Sequence, residues 1–306
     1  MDALRKHRSS EVAVFSQAEA FERNTGLISL EEQQILASSL VVIAGCGGVG
    51  GLHAHTCARL GIGRFRIADT DTFSIANINR QIGATVQSVG KNKAEVTADM
   101  IRSINPECRV EVFDRNICAD NVGAFVRDAD LVFDGVDFFA LSARRQLFAA
   151  AWQAGIPALT AAPLGFSATL HVFASGGMSF DDYFDLTDEQ APFEQLTRFI
   201  VGLAPAGLHL PYMDLSSVDT QTGRGPSSIL GCQLAASLAG GEALKILLRR
   251  HPPMLAPEYL QFDCYRQVLR KRRLRGGNRN WLQQLKRKSL AKKLRALGFD
   301  RVYRVS

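Results

Sequence analysis

The sequence predicts an α/β fold built on a doubly wound, mostly parallel sheet, with a long crossover segment and a basic C-terminal tail. Three observations support this fold class. Short apolar runs alternate with helical segments through the first half of the chain, as strands and helices do in such sheets. The first apolar run, LVVIAG, leads into a glycine-rich loop and then a helix. The composition, 46% apolar and 22% charged, is that of a globular protein.

The elements of this sheet follow in chain order. Residues 16–39 are predicted to form helical segments around a turn at residues 24–26. Predicted helices then follow the glycine-rich loop, ending at Gly61, and cover GKNKAEVTADMIRSINP and residues 139–154. Five apolar runs have the length of buried parallel strands, and GFSATLHVFA is a further strand that can run antiparallel. The five runs are LVVIAG, RFRIAD, RVEVF, ADLVFD and IPALTA.

The second half of the chain is less regular. Residues 175–226 have no strong period and include the acidic stretch SFDDYFDLTDEQAPFE, and a segment this long without regular structure is usually functional or mobile. PSSILGCQLAASLAGGEALKILLRR is predicted as a long helix and EYLQFDCYRQVL as a late strand. We therefore predict one domain, residues 1–265, which contains an N-terminal helical segment, 1–39, and the crossover segment, 175–226. A basic tail, residues 266–306, follows it.

The charge of the chain is unevenly distributed. The net charge is +6, but Arg266 to Arg304 contain fifteen Lys or Arg and one acid, Asp300. This tail therefore carries +14, and the remainder carries 6 − 14 = −8. A basic tail on an acidic body predicts an acidic partner, which could be nucleic acid, a protein or another subunit. The alternative is a solvated helix face. Apolar positions could also dock the tail onto the core; they are Trp281, Leu282, Leu285 and Leu290.

The six cysteines are scattered and form no CxxC pair, so no zinc site is expected. No stretch of 18 residues is apolar and uncharged enough to span a bilayer, so no membrane association is expected. The N-terminus lacks the apolar core of a signal peptide, and we therefore predict a cytoplasmic protein with free thiols.

The glycine-rich loop predicts a nucleotide site. The glycines Gly45-x-Gly47-x-x-Gly50 lie between a predicted strand and a predicted helix, which is the fingerprint of a phosphate-binding loop. In such a loop the exposed backbone and the helix N-terminus bind phosphate groups. Gly48 adds a further glycine to this loop. Asp69 ends the next strand, where a carboxylate can accept hydrogen bonds from a ribose. NAD and ATP fit this pattern equally well, because both carry an adenosine ribose and a pyrophosphate.

The residues after Asp69 favour a triphosphate. They are Asp71, Asn77, Arg80, Gln81 and Lys93. In a dinucleotide site, backbone N–H groups largely satisfy the pyrophosphate. Fixed cations therefore suggest a ligand that is more anionic than a dinucleotide. Asp137, in VFDGVDFF at a strand end, is most simply a Mg²⁺ ligand. Asp71 either supports the ribose carboxylate or caps a turn.

These motifs carry a family resemblance. GCGGVGG, ADTDTFSIANINRQ, GKNKAEV, INP and FDGVD occur in order and at suitable spacing. They resemble the ThiF/MoeB/HesA family, bacterial relatives of ubiquitin-activating enzymes, with a Rossmann-like fold. The resemblance covers roughly residues 20–165 and returns in the helix at 227–248.

The resemblance implies that ATP and Mg²⁺ are used to adenylate a carboxylate, usually the C-terminal glycine of a small ubiquitin-like or sulfur-carrier protein. By motif, Asp69 would bind ribose and Asp137 would hold Mg²⁺. Arg23, in FERN, looks like the family's N-terminal arginine, which reaches the phosphates of the neighbouring subunit in a homodimer. The positions that would line the phosphates are Asn77, Arg80 and Lys93.

The sequence also departs from the family pattern. Members that form a thioester carry a cysteine in the long segment after the sheet, but no cysteine lies between Cys118 and Cys232. Paired CxxC motifs are absent, and DCTDN becomes DGVDF, with Phe138 in place of Asn. A peptide or small-molecule carboxylate, or a carboxylate on a modified tRNA base, therefore stays open as substrate. Two rivals also stay open: an NAD(P)-dependent oxidoreductase, and a non-catalytic nucleotide-binding scaffold whose tail binds nucleic acid.

Other reactive residues are predicted to be structural. His53 and His55 are two apart on a helix and do not share a face, which argues against a metal pair. Cys46 lies within the loop but is not expected to act as a nucleophile, and Cys232 opens an apolar helix as a core residue. Four acids lack EF-hand spacing and are predicted to form a solvated lid. They are Asp181, Asp182, Asp185 and Asp188.

Overall fold

The computed structural model describes residues 14–218 and 225–302. Residues 1–13, 219–224 and 303–306, which belong to the predicted helical segment, crossover segment and tail, lie outside the described residues. Within these ranges eight strands form one sheet in the order β3-β2-β1-β4-β5-β6-β7-β8. The strands are β1 Leu40–Ala44, β2 Arg64–Ala68, β3 Arg109–Phe113, β4 Leu131–Asp134, β5 Ala158–Leu164, β6 Ser167–Phe173, β7 Glu258–Asp263 and β8 Val268–Arg273.

Strands β1 to β5 run parallel, and β6, β7 and β8 are each antiparallel to the strand before them. The prediction of a doubly wound sheet is therefore confirmed, including the antiparallel strand GFSATLHVF. None of the helices in the described ranges is long and apolar enough to cross a membrane. The helices are α1 Gln17–Ala20, α2 Leu30–Ser38, α3 Gly48–Arg59, α4 Lys93–Ile104, α5 Val122–Val126, α6 Leu141–Gln153, α7 Phe180–Phe184, α8 Pro192–Leu203, α9 Ile229–Leu248, α10 Trp281–Ala296 and α11 Phe299–Val302.

Helices cover both faces of the sheet. Val41 and Ile43 of β1 contribute to a core shared with α3, α4 and α9, while Val42 points to the other face, covered by α5 to α8. Because both faces are buried, β1 is a continuous apolar run rather than an alternating one. We call the side covered by α5 to α8 the crossover face, since the crossover segment supplies α7 and α8.

The late strand EYLQFDCYRQVL is two strands rather than one. The chain turns after Asp263, whose carboxylate accepts a hydrogen bond of 2.8 Å from the Arg266 backbone N–H. Gln267 takes a left-handed φ of 56°, which reverses the chain into β8. The apolar pattern did not predict this turn because it contains neither Gly nor Pro.

The crossover segment contains two helices that the sequence analysis did not assign. In α8 the apolar residues Phe193, Leu196, Phe199 and Leu203 are buried on one side. This helical period is confined to 12 residues and is flanked by acidic and proline-containing stretches, so it was lost in the aperiodic segment as a whole.

All four acids of this cluster are ion-paired, which was not predicted, while Asp182 and Asp188 remain 58% and 89% exposed. Arg145 contacts Asp181 at 2.7 Å and Asp188 at 2.8 Å. Arg279 contacts Asp182 and Asp185, each at 3.3 Å. In the described ranges no group of three His, Cys, Asp or Glu side chains could hold a metal ion.

Part of the basic tail is built into the fold. The predicted boundary between residues 265 and 266 falls in the β7–β8 turn, and the division of the chain there stays a prediction from charge. Helix α10 packs on α8 through Leu290 and Leu294, which contact Phe193. The buried Gln283 donates to the Val201 carbonyl at 3.0 Å. Three of the four predicted docking residues remain exposed: Trp281, Leu282 and Leu285.

Candidate active site

The glycine-rich loop lies at the carboxyl ends of the parallel strands, between β1 and α3. In the sheet, β1 stands between β2 and β4, where the winding of the chain reverses. Ligands of doubly wound sheets bind at such a switch point, beside the N-terminus of the first helix. Apart from Arg23, the predicted site residues come together around this loop.

Packing leaves no room for a side chain at two glycines of the loop, Gly45 and Gly50, whereas Gly47 borders open space. A Cβ at Gly45, where φ is +90°, would lie 2.1 Å from the Gly135 carbonyl oxygen. A Cβ at Gly50 would lie 1.8 Å from the Gly45 carbonyl oxygen. At Gly47 the nearest atom would be Gln81 Nε2, at 3.6 Å. The backbone is therefore accessible at Gly47, as a phosphate-binding loop requires.

Asp69 is fixed by the backbone of the same loop. Its carboxylate accepts hydrogen bonds from the N–H of Cys46 at 2.7 Å and from the N–H of Asp71 at 2.9 Å. Burial raises the pKa of Asp69, and these two hydrogen bonds oppose the rise. Each carboxylate oxygen keeps a second lone pair that can accept a ribose hydroxyl.

Lys93 pairs with Asp71 in this arrangement. Lys93 Nζ donates to Asp71 Oδ2 at 2.9 Å, and the Lys93 N–H donates to the Asp71 carbonyl at the same distance. The lysine side chain is 10% exposed and the aspartate 72%. Asp71 therefore orients the lysine as well as hydrogen-bonding to Asp69, and a bound anion would compete with it for the ammonium group.

Arg80 lies against the start of α3. A Cβ at Gly48 would be 3.7 Å from Arg80 Cγ. The guanidinium donates to the Ala76 carbonyl and to Asn79 Oδ1, both at 2.9 Å. Asn77 closes the adjacent 3₁₀ turn with its own side chain. All partners of the Arg80 guanidinium are neutral, so its charge has no counterion among the described residues.

Gln81 leaves a polar atom unsatisfied beside the loop. It is 7% exposed, and its Oε1 has no hydrogen-bond partner in the described part of the chain. A buried amide oxygen without a donor is destabilising. The site is thus incomplete in the free protein, and a ligand or ordered water can complete it.

Asp137 is exposed in the loop that follows β4. Its Oδ1 accepts a hydrogen bond from the Phe139 N–H at 3.0 Å, and among the described residues no hydrogen bond reaches the other carboxylate oxygen. The loop approaches the phosphate side because Gly135, two residues earlier, contacts Gly45. A single exposed carboxylate suits Mg²⁺, which commonly combines one or two carboxylates with substrate phosphates and water.

The loop that carries Asp137 is held by Arg144, which was not among the site residues predicted from the sequence. Arg144 is 4% exposed and its Nε donates to Asp134 Oδ2 at 2.7 Å. The same guanidinium donates to the carbonyls of Val136 at 2.6 Å and Phe138 at 3.3 Å, and lies 4.8 Å from the Phe199 ring centroid. An arginine on the apolar face of α6 was the available signal, because buried arginines are rare unless paired.

Arg23 is not part of this cluster within one chain. It is exposed in the 3₁₀ turn Glu22–Asn24. The neighbouring Asn24 bonds Gln33, which donates to the Leu60 carbonyl at the C-terminal end of α3. Since α3 has 12 residues, this end is about 18 Å from the glycine loop. The turn that carries Arg23 therefore lies far from the glycine loop of its own chain.

The cysteines and histidines nearby are structural. Burial raises the pKa of the Cys46 thiol, and the charge of Asp69 adds to this. Cys232 is a buried core residue, as predicted; it packs in a cluster with Leu52 of α3, and burial raises its pKa. His53 is buried against Phe133, with ring centroids 5.0 Å apart, and desolvation lowers its pKa to about 3. Neither thiol nor this imidazole is prepared for catalysis.

Comparison with known proteins identifies the family of this chain. A model of the ThiF family matches residues 21–282. The tRNA threonylcarbamoyladenosine dehydratase of Escherichia coli K12 is 43% identical over 105 residues, 34% of this chain and 39% of that protein. The sulfur carrier protein ThiS adenylyltransferase of the same strain is 31% identical over 145 residues, 47% of this chain and 57% of that protein. The chain thus matches only part of the length of each relative.

Solved structures share the fold. The crystal structure of PaaA has a TM-score of 0.65 at 19% identity and covers 86% of this chain and 85% of its own. The E. coli tRNA N6-threonylcarbamoyladenosine dehydratase, crystallised with ATP, has a TM-score of 0.57 at 24% identity, with 76% and 95% covered.

Proposed function

Since the chain belongs to the ThiF family, we propose that it uses ATP and Mg²⁺ to adenylate a carboxylate. One observation carries this proposal: a carboxylate and two cations lie around one open glycine loop, and the loop that carries an exposed carboxylate contacts it. The four residues are Asp69, Arg80, Lys93 and Asp137. An adenylate-forming site requires this set of charges, whereas a dinucleotide site requires neither cation.

The free site fits the triphosphate. Within residues 14–218 and 225–302, Gln81 Oε1 is buried without a donor, the loop is open at Gly47, and the Arg80 guanidinium has only neutral partners. Asp69 would bind the ribose, and Asn77 would line the phosphates with Gln81, Arg80 and Lys93. Lys93 would exchange Asp71 for a phosphate oxygen, which keeps its charge compensated in both states.

The chemistry is one displacement. A carboxylate oxygen attacks the α-phosphorus, a P–O bond forms, and the bond to the leaving pyrophosphate breaks, so that an acyl adenylate and pyrophosphate result. Arg80 and Lys93 offset the repulsion between the two anions and hold them in line. Mg²⁺ held by Asp137 would neutralise charge on the phosphates. No protein nucleophile takes part, in agreement with the buried thiols at the loop.

The substrate and assembly follow from the same residues. We infer that the carboxylate belongs to a small protein, a peptide, a small molecule or a modified tRNA base. Arg23 supports a homodimer, because it lies at the end of α3 away from the site of its own chain. We further propose a cytoplasmic location, and an acidic partner for the tail, whose charge of +14 would attract nucleic acid as well as protein.

Calorimetry tests the ligand. ATP with Mg²⁺ should bind, and NAD⁺ should bind much more weakly. Lys93→Met should weaken ATP binding at least about tenfold, because it removes a charged hydrogen-bond donor, while Lys91→Met, an exposed neighbour, should have little effect. Tighter binding of NAD⁺ would overturn the proposal. Binding of ATP without pyrophosphate exchange, for any carboxylate substrate supplied, would indicate a nucleotide-binding scaffold instead.

A further inference from the structure

Three aromatic rings form a surface cluster at the carboxyl edge of the sheet. Phe166 lies in the β5–β6 turn, Tyr265 in the β7–β8 turn, and Tyr212 in the segment after α8. Each ring contacts the other two, with centroids 5.4 to 5.8 Å apart. The Tyr212 hydroxyl accepts from the Phe166 N–H at 3.0 Å and donates to Asp263 at 2.7 Å, which fixes the cluster. Tyr265 is nevertheless 69% exposed and Phe166 36%. Rings that are fixed yet exposed are suited to stacking with a ligand.

Strand β8 extends from this cluster with unpaired cations on the crossover face. Arg270 and Arg272 stand opposite Gln261 and Tyr259 of β7 and therefore share one face. As alternate residues of a strand they are about 7 Å apart. Both are exposed, and neither has an acidic partner in the described part of the chain. Arg273, on the other face, lies 3.7 Å from Glu258.

Lys286 of α10 extends this row. Its Nζ donates to the Pro205 carbonyl at 2.7 Å. Burial lowers the pKa of Lys286, and the positive charge of nearby Arg272 lowers it further. Residues 264–299 contain no acid, so the sequence around these two cations supplies no counterion. Like charges held together without a counterion favour the binding of an anion.

Other cations of the same tail have a different role. Arg279 pairs with acids of the α7 region, and Arg287 contacts Glu194 of α8 at 2.7 Å. These pairs anchor the tail on the crossover segment. In its described part the tail thus contains paired arginines that hold it in place and cations without an acidic partner, of which Arg270 and Arg272 are exposed.

We propose that the aromatic cluster and the unpaired cations form a docking surface for single-stranded nucleic acid. Bases would stack on Tyr265 and Phe166, and the phosphates would follow Arg270, Arg272 and Lys286. An added peptide strand fits less well, because cations on both faces of an edge strand oppose strand pairing. The surface shares no residue with the proposed adenylation site, although both lie at the carboxyl edge of the sheet, so binding can be measured without ATP.

The test is the fluorescence anisotropy of a short labelled oligouridine bound to the full chain. The affinity for oligouridine should fall as the salt concentration rises. In the triple variant R270Q/R272Q/K286Q the negative slope of log affinity against log salt should become shallower by about 2, or about 0.7 for each lost phosphate contact. A matched triple variant, R64Q/R109Q/R127Q, removes the same charge from exposed positions at the other end of the sheet. It should change the affinity by less than about twofold.

Tyr265 separates stacking from simple charge attraction. Tyr265→Ala should weaken oligouridine binding at least about fivefold, and Tyr265→Phe should restore it, because the ring rather than the hydroxyl carries the contact. Trp152→Ala, which removes an exposed ring on α6, is the control. The proposal fails if the two cation triples behave alike, if Tyr265→Ala binds as the wild type does, or if a polyglutamate peptide binds as tightly as oligouridine. If the wild-type chain binds oligouridine as expected but does not bind ATP, the proposed function fails and the docking surface is unaffected.

Discussion

Arg144 Nε donates a hydrogen bond of 2.7 Å to Asp134 Oδ2, and the two side chains are 5% and 1% exposed. This buried pair ties α6 to the end of β4 and holds the loop that carries Asp137. Breaking such a pair on one side leaves a buried charge without compensation. We expect Arg144→Met to lower the free energy of unfolding by about 3–5 kcal/mol, measured by urea denaturation.

A neighbouring arginine provides the control for that prediction. Arg145 also makes ion pairs, but its partners Asp181 and Asp188 are 40% and 89% exposed. Arg145→Met should therefore cost only about 1 kcal/mol. The double variant Asp134→Leu/Arg144→Met should recover part of the lost stability, because it removes both charges. Equal losses for Arg144→Met and Arg145→Met would contradict the role assigned to the buried pair.

Asp137 can be separated from the fold because it is exposed. We expect Asp137→Asn to keep the melting temperature and to lower Mg²⁺-dependent pyrophosphate exchange on the order of a hundredfold, since an amide is a poor substitute for a carboxylate on Mg²⁺. Asp120→Asn, at another exposed site, is the control. If pyrophosphate exchange is unchanged in Asp137→Asn, Asp137 is not a Mg²⁺ ligand, and its hydrogen bond with the Phe139 N–H is structural.

Two glycines of the loop should respond differently to the same substitution. Gly45→Ala places a Cβ 2.1 Å from the Gly135 carbonyl oxygen at a φ of +90° and should destabilise the fold, as seen in the melting temperature. Gly47→Ala meets nothing closer than 3.6 Å and should melt as the wild type does. Its ATP affinity should fall, because the methyl group occupies the open side of the loop. Normal ATP binding by Gly47→Ala would mean that phosphate does not approach there.

The cysteines should be dispensable for adenylate formation. Burial raises the pKa of Cys57 to about 12 and also raises that of Cys46 and Cys232, so these thiols should resist alkylation near neutral pH. Cys118 is exposed and should react first, as mass spectrometry can show. A variant without cysteines, provided that it folds, should still exchange pyrophosphate. A substrate adduct trapped on Cys46 or Cys232 would refute this.

Three buried histidines predict an early loss of stability in acid. Desolvation lowers the pKa of His53 and His171 to about 3 and of His209 to about 4. The unfolded values are about 6.5, so the unfolded chain binds protons first as the pH falls. Stability should therefore decrease from about pH 6.5 downwards, by up to about 1.4 kcal/mol per pH unit for each histidine.

Substitution of one histidine tests this assignment. His171 lies among the rings of Phe173, Tyr183 and Tyr259, and its Nε2 is 3.1 Å from the Tyr183 hydroxyl oxygen, within hydrogen-bond distance. His171→Phe should reduce the pH dependence of unfolding between about pH 6.5 and pH 4 by roughly one third. An identical pH dependence in the variant would show that His171 is not one of the groups responsible.

Local patterns in the sequence were sufficient for most of the sheet and for the loop. The parallel strands are short apolar runs because both their faces are buried, and that pattern does not depend on distant residues. The glycine at position 45 and the carboxylate of Asp69 could likewise be identified from spacing, since a strand and a tight turn place them at one edge. The sequence by itself thus determined the fold class, the family and the group of residues proposed to bind nucleotide.

Only the tertiary structure decided which charges are paired. Asp181 and Asp185 look like solvated acids in the sequence, but arginines from α6, α8 and the tail meet them in the fold. Arg144 and Arg270 look alike as arginines, yet one is buried in an ion pair and the other is exposed, with no acidic partner among the residues that the structure describes. Long-range packing sets these environments, because the partners are brought together by the sheet and the crossover helices. A charge pattern along the chain therefore cannot tell an anchoring cation from one that is free to bind a partner.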